Sequence, residues 1–155
     1  MSTVQKAIDV KVPVRAAYDQ WTQFEEFPRF MKGVTSVRQA DDTHLHWKAD
    51  VAGQEREWDA VITEQEPDQR IAWHSTAGAR NAGVVTFHRI DDDTTRVTLQ
   101  MDVEPEGVIE SAGDALGVLD RRVQGDLERF KEFIEERGTP TGAWRGDVAS
   151  PSARQ

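Results

Sequence analysis

Apolar and polar residues alternate at the start of the chain, with Val4, Ile8, Val10 and Val12 set against Gln5, Asp9 and Lys11. A period of two marks a strand with one dry face, so a first strand is predicted here. Pro13 closes it, because proline has no backbone N–H to give to a ladder. From Val14 to Phe30 the period lengthens. Val14, Ala17, Tyr18, Trp21, Phe24, Phe27 and Phe30 recur every three or four residues, as on one face of a helix. Pro28 interrupts that face, so two short helices are predicted rather than one, the second closed by Gly33.

Six further strands follow, at about 34–40, 44–51, 54–66, 70–76, 83–90 and 95–103. Turn residues separate them: Asp41-Asp42, Ala52-Gly53, Pro67-Asp68, Gly78 and Asp91-Asp92-Asp93. Beyond Pro105 and Gly107 the helical period returns, running from Val108 to about Arg137 through Ile109, Ala112, Leu116, Leu119, Val123, Leu127, Phe130 and Ile134. At about 1.5 Å per residue this helix would be ~45 Å long, enough to cross a small domain.

Strands joined by tight turns run antiparallel. The long helix has one apolar face to bury, and the concave side of the sheet is the large dry surface available to it. The predicted fold class is therefore α+β: a seven-stranded antiparallel curved sheet wrapped around a long C-terminal helix, with two short helices between strands 1 and 2. Residues 1–138 form one domain. The tail at 139–155, rich in Pro, Gly, Ser, Ala and Thr, is expected to be disordered, with Trp144 its one large side chain.

The turn centres also set registers. Trp47 is expected opposite Trp58, Trp73 opposite Ile62, Phe87 opposite Trp73 and Leu99 opposite Phe87. A second row would hold Leu45, Ala60, Ser75, Val85 and Met101. Large rings in one row beside small residues in the next leave unfilled volume. Gly113 and Gly117 on the long helix act in the same direction. The predicted pocket wall is Trp47, Trp58, Ala60, Ile62, Trp73, Ser75, Val85, Phe87, Leu99 and Met101, with Leu116 and Leu119 on the helical side. Phe24, Phe27, Phe30 and Met31 form a candidate lid. Arg56, Glu64 and Arg89 fall on the inward parity near the ends of the sheet, as polar anchors at a pocket mouth or as rim ion pairs.

Composition narrows the picture further. The 155 residues carry a net charge of −9 and contain no cysteine, which excludes disulfides and thiolate chemistry. An acidic surface without a basic stripe argues against nucleic acid as a partner. No apolar run approaches the ~18 residues of a membrane span, and the N-terminus passes into the strand pattern without a signal-like segment. A cytoplasmic monomer or homodimer without membrane insertion is the expectation. His44 and His46 have metal-clasp spacing, but Leu45 and Trp47 claim the inner face. His74 and His88 flank inward-facing Trp73 and Phe87 in the same way, so all four histidines are expected on the convex side. No metal, no cofactor and no catalytic residue is predicted. Ser75 has no inward histidine near it, and Asp114 and Asp120 lie off the apolar stripe.

The chain resembles the START-like, helix-grip superfamily, also called SRPBCC, and within it the polyketide cyclase/dehydrase and coenzyme Q-binding START-like group. The resemblance lies in Y-D-Q-W-T-Q-F-E-E-F-P-R-F-M at Tyr18–Met31 followed by V-T-S-V-R, in G-A-R-N-A-G-V-V-T-F-H at Gly78–His88, and in D-L-E-R-F-K-E-F-I-E near the C-terminus. It covers about residues 3–137. It implies a cavity between sheet and long helix that holds an apolar ligand. Three functions remain open on such a scaffold. The first is binding or carriage of a hydrophobic small molecule (lipid, quinone or polyketide-like). The second is a polyketide cyclase/dehydratase-type enzyme, and the third is a ligand-free interaction module.

Overall fold

The computed structural model describes residues 2–51, 54–78, 81–103 and 112–146, with the side chains at 2, 51, 54, 103 and 112–119 outside the description. Strand β1 (Ser2–Val10) leads into helix α1 (Val14–Trp21) and a 3-10 helix (Phe24–Arg29). Then come β2 (Val34–Gln39), β3 (His44–Val51), β4 (Gln54–Glu66), β5 (Arg70–Gly78), β6 (Asn81–Asp91) and β7 (Thr94–Val103). Helix α2 (Ala112–Arg137) closes the domain. The seven strands form one antiparallel sheet in the order β1-β7-β6-β5-β4-β3-β2. The second short helix is 3-10 rather than α, because Pro28 sits within it and cannot donate to an α ladder.

Two of the expected registers hold. Trp47 faces Trp58, and Ile62 faces Trp73. The next two are corrected. Strands β5 and β6 run further toward their shared reversal than the pattern suggested, so Trp73 faces Gly83 rather than Phe87. In the β6–β7 pair an irregularity between Arg89 and Asp91 sets Phe87 against Val97 and Leu99 against Val85. Both slips are even numbers of residues. Every side chain therefore keeps its face, and Val85, Phe87, Val97 and Leu99 are all buried.

Against this sheet α2 presents Val123, Leu127, Phe130 and Ile134, all buried. Helix α1 and the 3-10 helix close one end with an aromatic cluster. The Trp21 ring lies 4.9 Å from Phe130 and 5.5 Å from Phe27, Phe30 lies 5.2 Å from Phe130, and Tyr18 lies 5.4 Å from Phe87. Such edge-to-face contacts contribute about 0.5–1.5 kcal/mol each beyond the area they bury.

Residues 139–146 have no helix or strand, as expected of a tail, yet they are laid against α1. Gln20 and Thr141 exchange two hydrogen bonds of 2.8 and 3.0 Å. The Trp144 N–H donates to the Thr22 hydroxyl at 3.1 Å, and Arg145 pairs with both Asp19 and Asp68. The Asp19 carboxylate is buried, and the Arg145 guanidinium stands beside it as a countercharge.

Candidate functional site

Beside the aromatic cluster, and walled in part by its Trp21 and Phe27, a cavity of about 120 Å³ separates the sheet from α2. Val34, Trp47, Ala49, Trp58, Trp73, Asn81, Leu99 and Met101 line it from β2 through β7. Trp21, Phe27, Met31 and Lys32 contribute from the short helices and the turn after them, and Arg122, Val123 and Asp126 from α2. Its walls are almost entirely apolar. Pockets for drug-sized ligands span roughly 300–1,000 Å³, and a dry cavity of ~150 Å³ takes benzene. The described walls therefore enclose room for about one ring.

The indoles are placed by the strand registers. Trp47 and Trp58 are a direct cross-strand pair, and their rings stack 5.7 Å apart with 11° between planes. Trp73 lies over Gly83, where an added Cβ would stand 2.5 Å from the ring. The missing side chain of Gly83 leaves room for that indole.

Charge gathers at one edge. Asp126 is buried beside the cavity, and its Oδ1 accepts the Lys32 N–H at 3.0 Å and a bond from Arg129. Burial is the dominant influence on this carboxyl. It outweighs the opposing pull of Arg129, the Lys32 amide and Arg122, and its pKa is pushed up to about 6. The Arg122 guanidinium donates to the Asp50 carbonyl at 3.1 Å. It packs against Gly33, whose φ of 96° suits glycine and whose bare Cα leaves space for the arginine. Meanwhile the indole Nε1 atoms of Trp21, Trp47 and Trp58 are buried without a hydrogen-bond partner among the described residues.

Several predicted wall residues belong elsewhere. Ala60, Ile62, Val85 and Phe87 pack into the core instead, Phe87 against Tyr18 and Trp21. The Ser75 hydroxyl accepts the Asn81 N–H at 3.0 Å and so ties off the β5–β6 hairpin. Of the candidate lid, Phe27 and Met31 line the cavity, Phe30 packs on Phe130 and Phe133, and Phe24 meets Phe27 edge to face outside the lining. Arg89 is exposed and pairs with Asp92 in its own turn, and Glu64 pairs with Arg70 at 2.8 Å on the rim. Arg56 is half-buried on β4 beyond the cavity walls. Leu116, Leu119, Gly113 and Gly117 lie where side chains are outside the described residues.

The pattern missed Trp21, Val34, Ala49, Asn81, Lys32, Arg122, Val123 and Asp126 as wall residues. A signal for Asp126 was present: it follows Val123 by three residues, on the apolar stripe of α2. The histidines stand on the convex side, His46 between Glu57 at 3.3 Å and Asp59 at 2.6 Å. A second depression, about 450 Å³, lies between the tail and the 3-10 helix and is lined by Thr22, Gln23, Glu25, Glu26, Thr141 and Trp144 among others. It is an open polar groove, with few apolar walls to hold a guest.

Residues 10–132 match the model of the family described as polyketide cyclase / dehydrase and lipid transport. The chain belongs to that family. It is 58% identical over 149 residues to an uncharacterized 17.2 kDa protein in the melC2-rnhH intergenic region of Streptomyces lincolnensis, covering 96% of this chain and 99% of that one. Two solved structures share the fold. The Zhui aromatase/cyclase from Streptomyces sp. R1128 superposes with a TM-score of 0.74 at 15% identity, over 92% of this chain and 99% of its own. A START superfamily protein from Mycobacterium smegmatis gives 0.64 at 14% identity, over 87% and 95%. The START-like helix-grip fold implied by the sequence resemblance is thus the fold of this polyketide cyclase / dehydrase and lipid transport family member.

Proposed function

We propose that this protein binds or carries a compact hydrophobic small molecule in the cavity between the middle strands and α2. One observation carries the reading: a pocket walled by Trp47, Trp58, Trp73, Leu99, Met101 and Val123, left open beside a cluster of edge-to-face rings. Burying apolar ligand area stabilises a complex by roughly 25 cal/mol per Å², so such walls bind without many polar contacts. The family's description, which includes lipid transport, is consistent with carriage. The setting we propose is a cytoplasmic monomer or homodimer that does not engage nucleic acid. No described helix is long and apolar enough to cross a membrane.

Trp58→Ala tests the reading. The variant should bind a fluorescent apolar probe at least several-fold more weakly than the parent, and equal binding would sink the assignment of the walls.

A second reading rests on Asp126. A carboxyl with a pKa near 6 at the wall of an apolar cavity suits general acid–base catalysis near neutral pH. The similar Zhui protein is an aromatase/cyclase. Under this reading the cavity folds a reactive polyketide-like chain and Asp126 moves the proton. Asp126→Asn would then abolish turnover while probe binding persists.

A further inference from the structure

At the end of α1, Asp19, Gln20 and Thr22 are polar yet buried, at 5%, 0% and 3% exposure. Buried polar groups need partners, and each of these takes one from the tail: Asp19 from Arg145, Gln20 from Thr141 and Thr22 from Trp144. Gly138, at a φ of 75°, ends α2 in the left-handed conformation and turns the chain toward them. Arg145 then reaches past α1 to Asp68 in the β4–β5 turn at 2.8 Å, and lies over the Tyr18 ring. None of residues 139–146 is itself buried. Hydrogen bonds and ion pairs therefore hold this segment with no core side chain behind them, and segments so held open at the low end of a protein's stability range.

The stretch pinned by the tail is the one that leads to the cavity. After Thr22 and Gln23 comes the 3-10 helix, which carries Phe27 and then Met31 and Lys32 to the cavity wall. At its near end the Gln23 side chain donates to the Thr22 hydroxyl at 3.0 Å and lies against Gly142 of the tail. Its far end is fastened to α2, where Arg129 donates to the Phe30 carbonyl and Asp126 accepts the Lys32 N–H, both at 3.0 Å. Gly33 follows, with its φ of 96°. Between those ends the hydrogen bonds are of the weaker 3-10 kind, and Pro28 removes one donor.

We infer that residues 139–146 are a strap that holds residues 24–32 closed over the cavity, and that release of the strap admits and discharges the guest. The inference rests on the proposed ligand-binding role of the cavity. A space of about 120 Å³ walled by large rings passes no guest unless a wall moves, and 24–32 is the wall that belongs to neither the sheet nor the long helix. No residue of the strap is itself among the cavity walls. Loosening it raises the population of the open form while the closed form still dominates, so exchange quickens and affinity stays. A tail that only braced α1 would change unfolding and leave exchange alone.

Asp19→Asn/Arg145→Ala loosens the strap without leaving a buried charge unpaired. Fluorobenzene is the guest, and ¹⁹F exchange spectroscopy reads its association rate, dissociation rate and occupancy. The expected result is that both rates rise about tenfold, the scale of one charge-assisted contact, while the Kd stays within about twofold. Gln23→Cys/Ala143→Cys supplies the opposite perturbation. Both positions line the polar groove under the tail, and the parent chain has no cysteine. A reducible bis-maleimide bridging them should slow both rates about tenfold, with recovery on reduction. Parental rates in both variants, with fluorobenzene still bound, would overturn the strap and leave the cavity reading standing. Failure of fluorobenzene to bind parent and variants alike would overturn the cavity reading and the inference with it. A faster dissociation matched by an equal loss of affinity would make the tail part of the cavity's framework, and would also overturn the strap.

Discussion

Gly83→Ala adds one methyl group at the point where the site is most tightly specified. Gly83 sits opposite Trp73 on β5 and opposite Met101 on β7. The new Cβ would stand 2.5 Å from Trp73 Cζ2, 2.8 Å from Cε2 and 3.0 Å from Met101 Sδ. Carbon atoms settle at roughly 3.5–4.0 Å, so the indole must withdraw by ~1 Å. The sheet backbone lies behind the glycine, and the free volume lies in front, in the cavity. If the displaced ring takes up one water-sized volume of ~30 Å³, about a quarter of the 120 Å³ is lost. Replacing glycine by alanine gains about 0.4–1 kcal/mol through the unfolded state. Overpacking costs about 1–3 kcal/mol, so a net destabilisation of about 1 kcal/mol is expected. Urea unfolding reads the stability and an apolar fluorescent probe reads the site, with affinity expected to fall several-fold. A variant more stable than the parent that binds the probe equally well would refute the reasoning, since Gly83 would then be a mere flexible strand residue.

Three other perturbations separate site from scaffold. Phe87→Ala should cost about 3–5 kcal/mol in urea unfolding yet leave the probe affinity of the folded protein unchanged, because Phe87 packs on Tyr18 and Trp21 rather than on the cavity. Asp126 has a folded pKa of about 6 against 3.8 for an ordinary aspartate, so the folded state holds a proton the unfolded chain releases. Its contribution is therefore fullest below pH 4 and lost as pH rises through 6, by about 3 kcal/mol. Asp126→Asn should flatten that part of the slope between pH 4.5 and 7.5, and an unchanged slope would contradict the assignment. Arg145→Ala leaves the Asp19 carboxylate buried with Arg15, 3.7 Å away, as its one countercharge among the described residues. A loss of about 2 kcal/mol is expected, and Asp19→Asn in the same background should recover most of it.

Much of the fold was legible because alternation and turn chemistry agree along the chain. Where a reversal is short, as between Val51 and Gln54, the register follows directly and the Trp47–Trp58 stack with it. Where glycines and small residues spread over 78–83, several reversals fit one pattern, and the β5–β6 pairing came out four residues away. The inward face survived because the slip was even. What the pattern does not carry is depth along that face. It cannot say that Trp21 and Phe130 meet over Phe87 and leave the hollow toward Met101 and Ala49. That outcome depends on where α1 and α2 cross the sheet. Asp126 was overlooked because a carboxylate on an apolar stripe reads as a phase error until Lys32 and Arg129 are seen to hold it. The docking of Thr141, Trp144 and Arg145 depends on partners 121 to 126 positions away in the chain, beyond any local pattern.

Xenon is the plainest guest for testing whether an apolar hollow exists, because it enters dry cavities of this size and needs no hydrogen bond. In crystals held under xenon pressure, a strong anomalous peak should appear among Trp47, Trp58, Trp73 and Val123. Side chains packed tight at that spot, with no bound atom, would contradict the account.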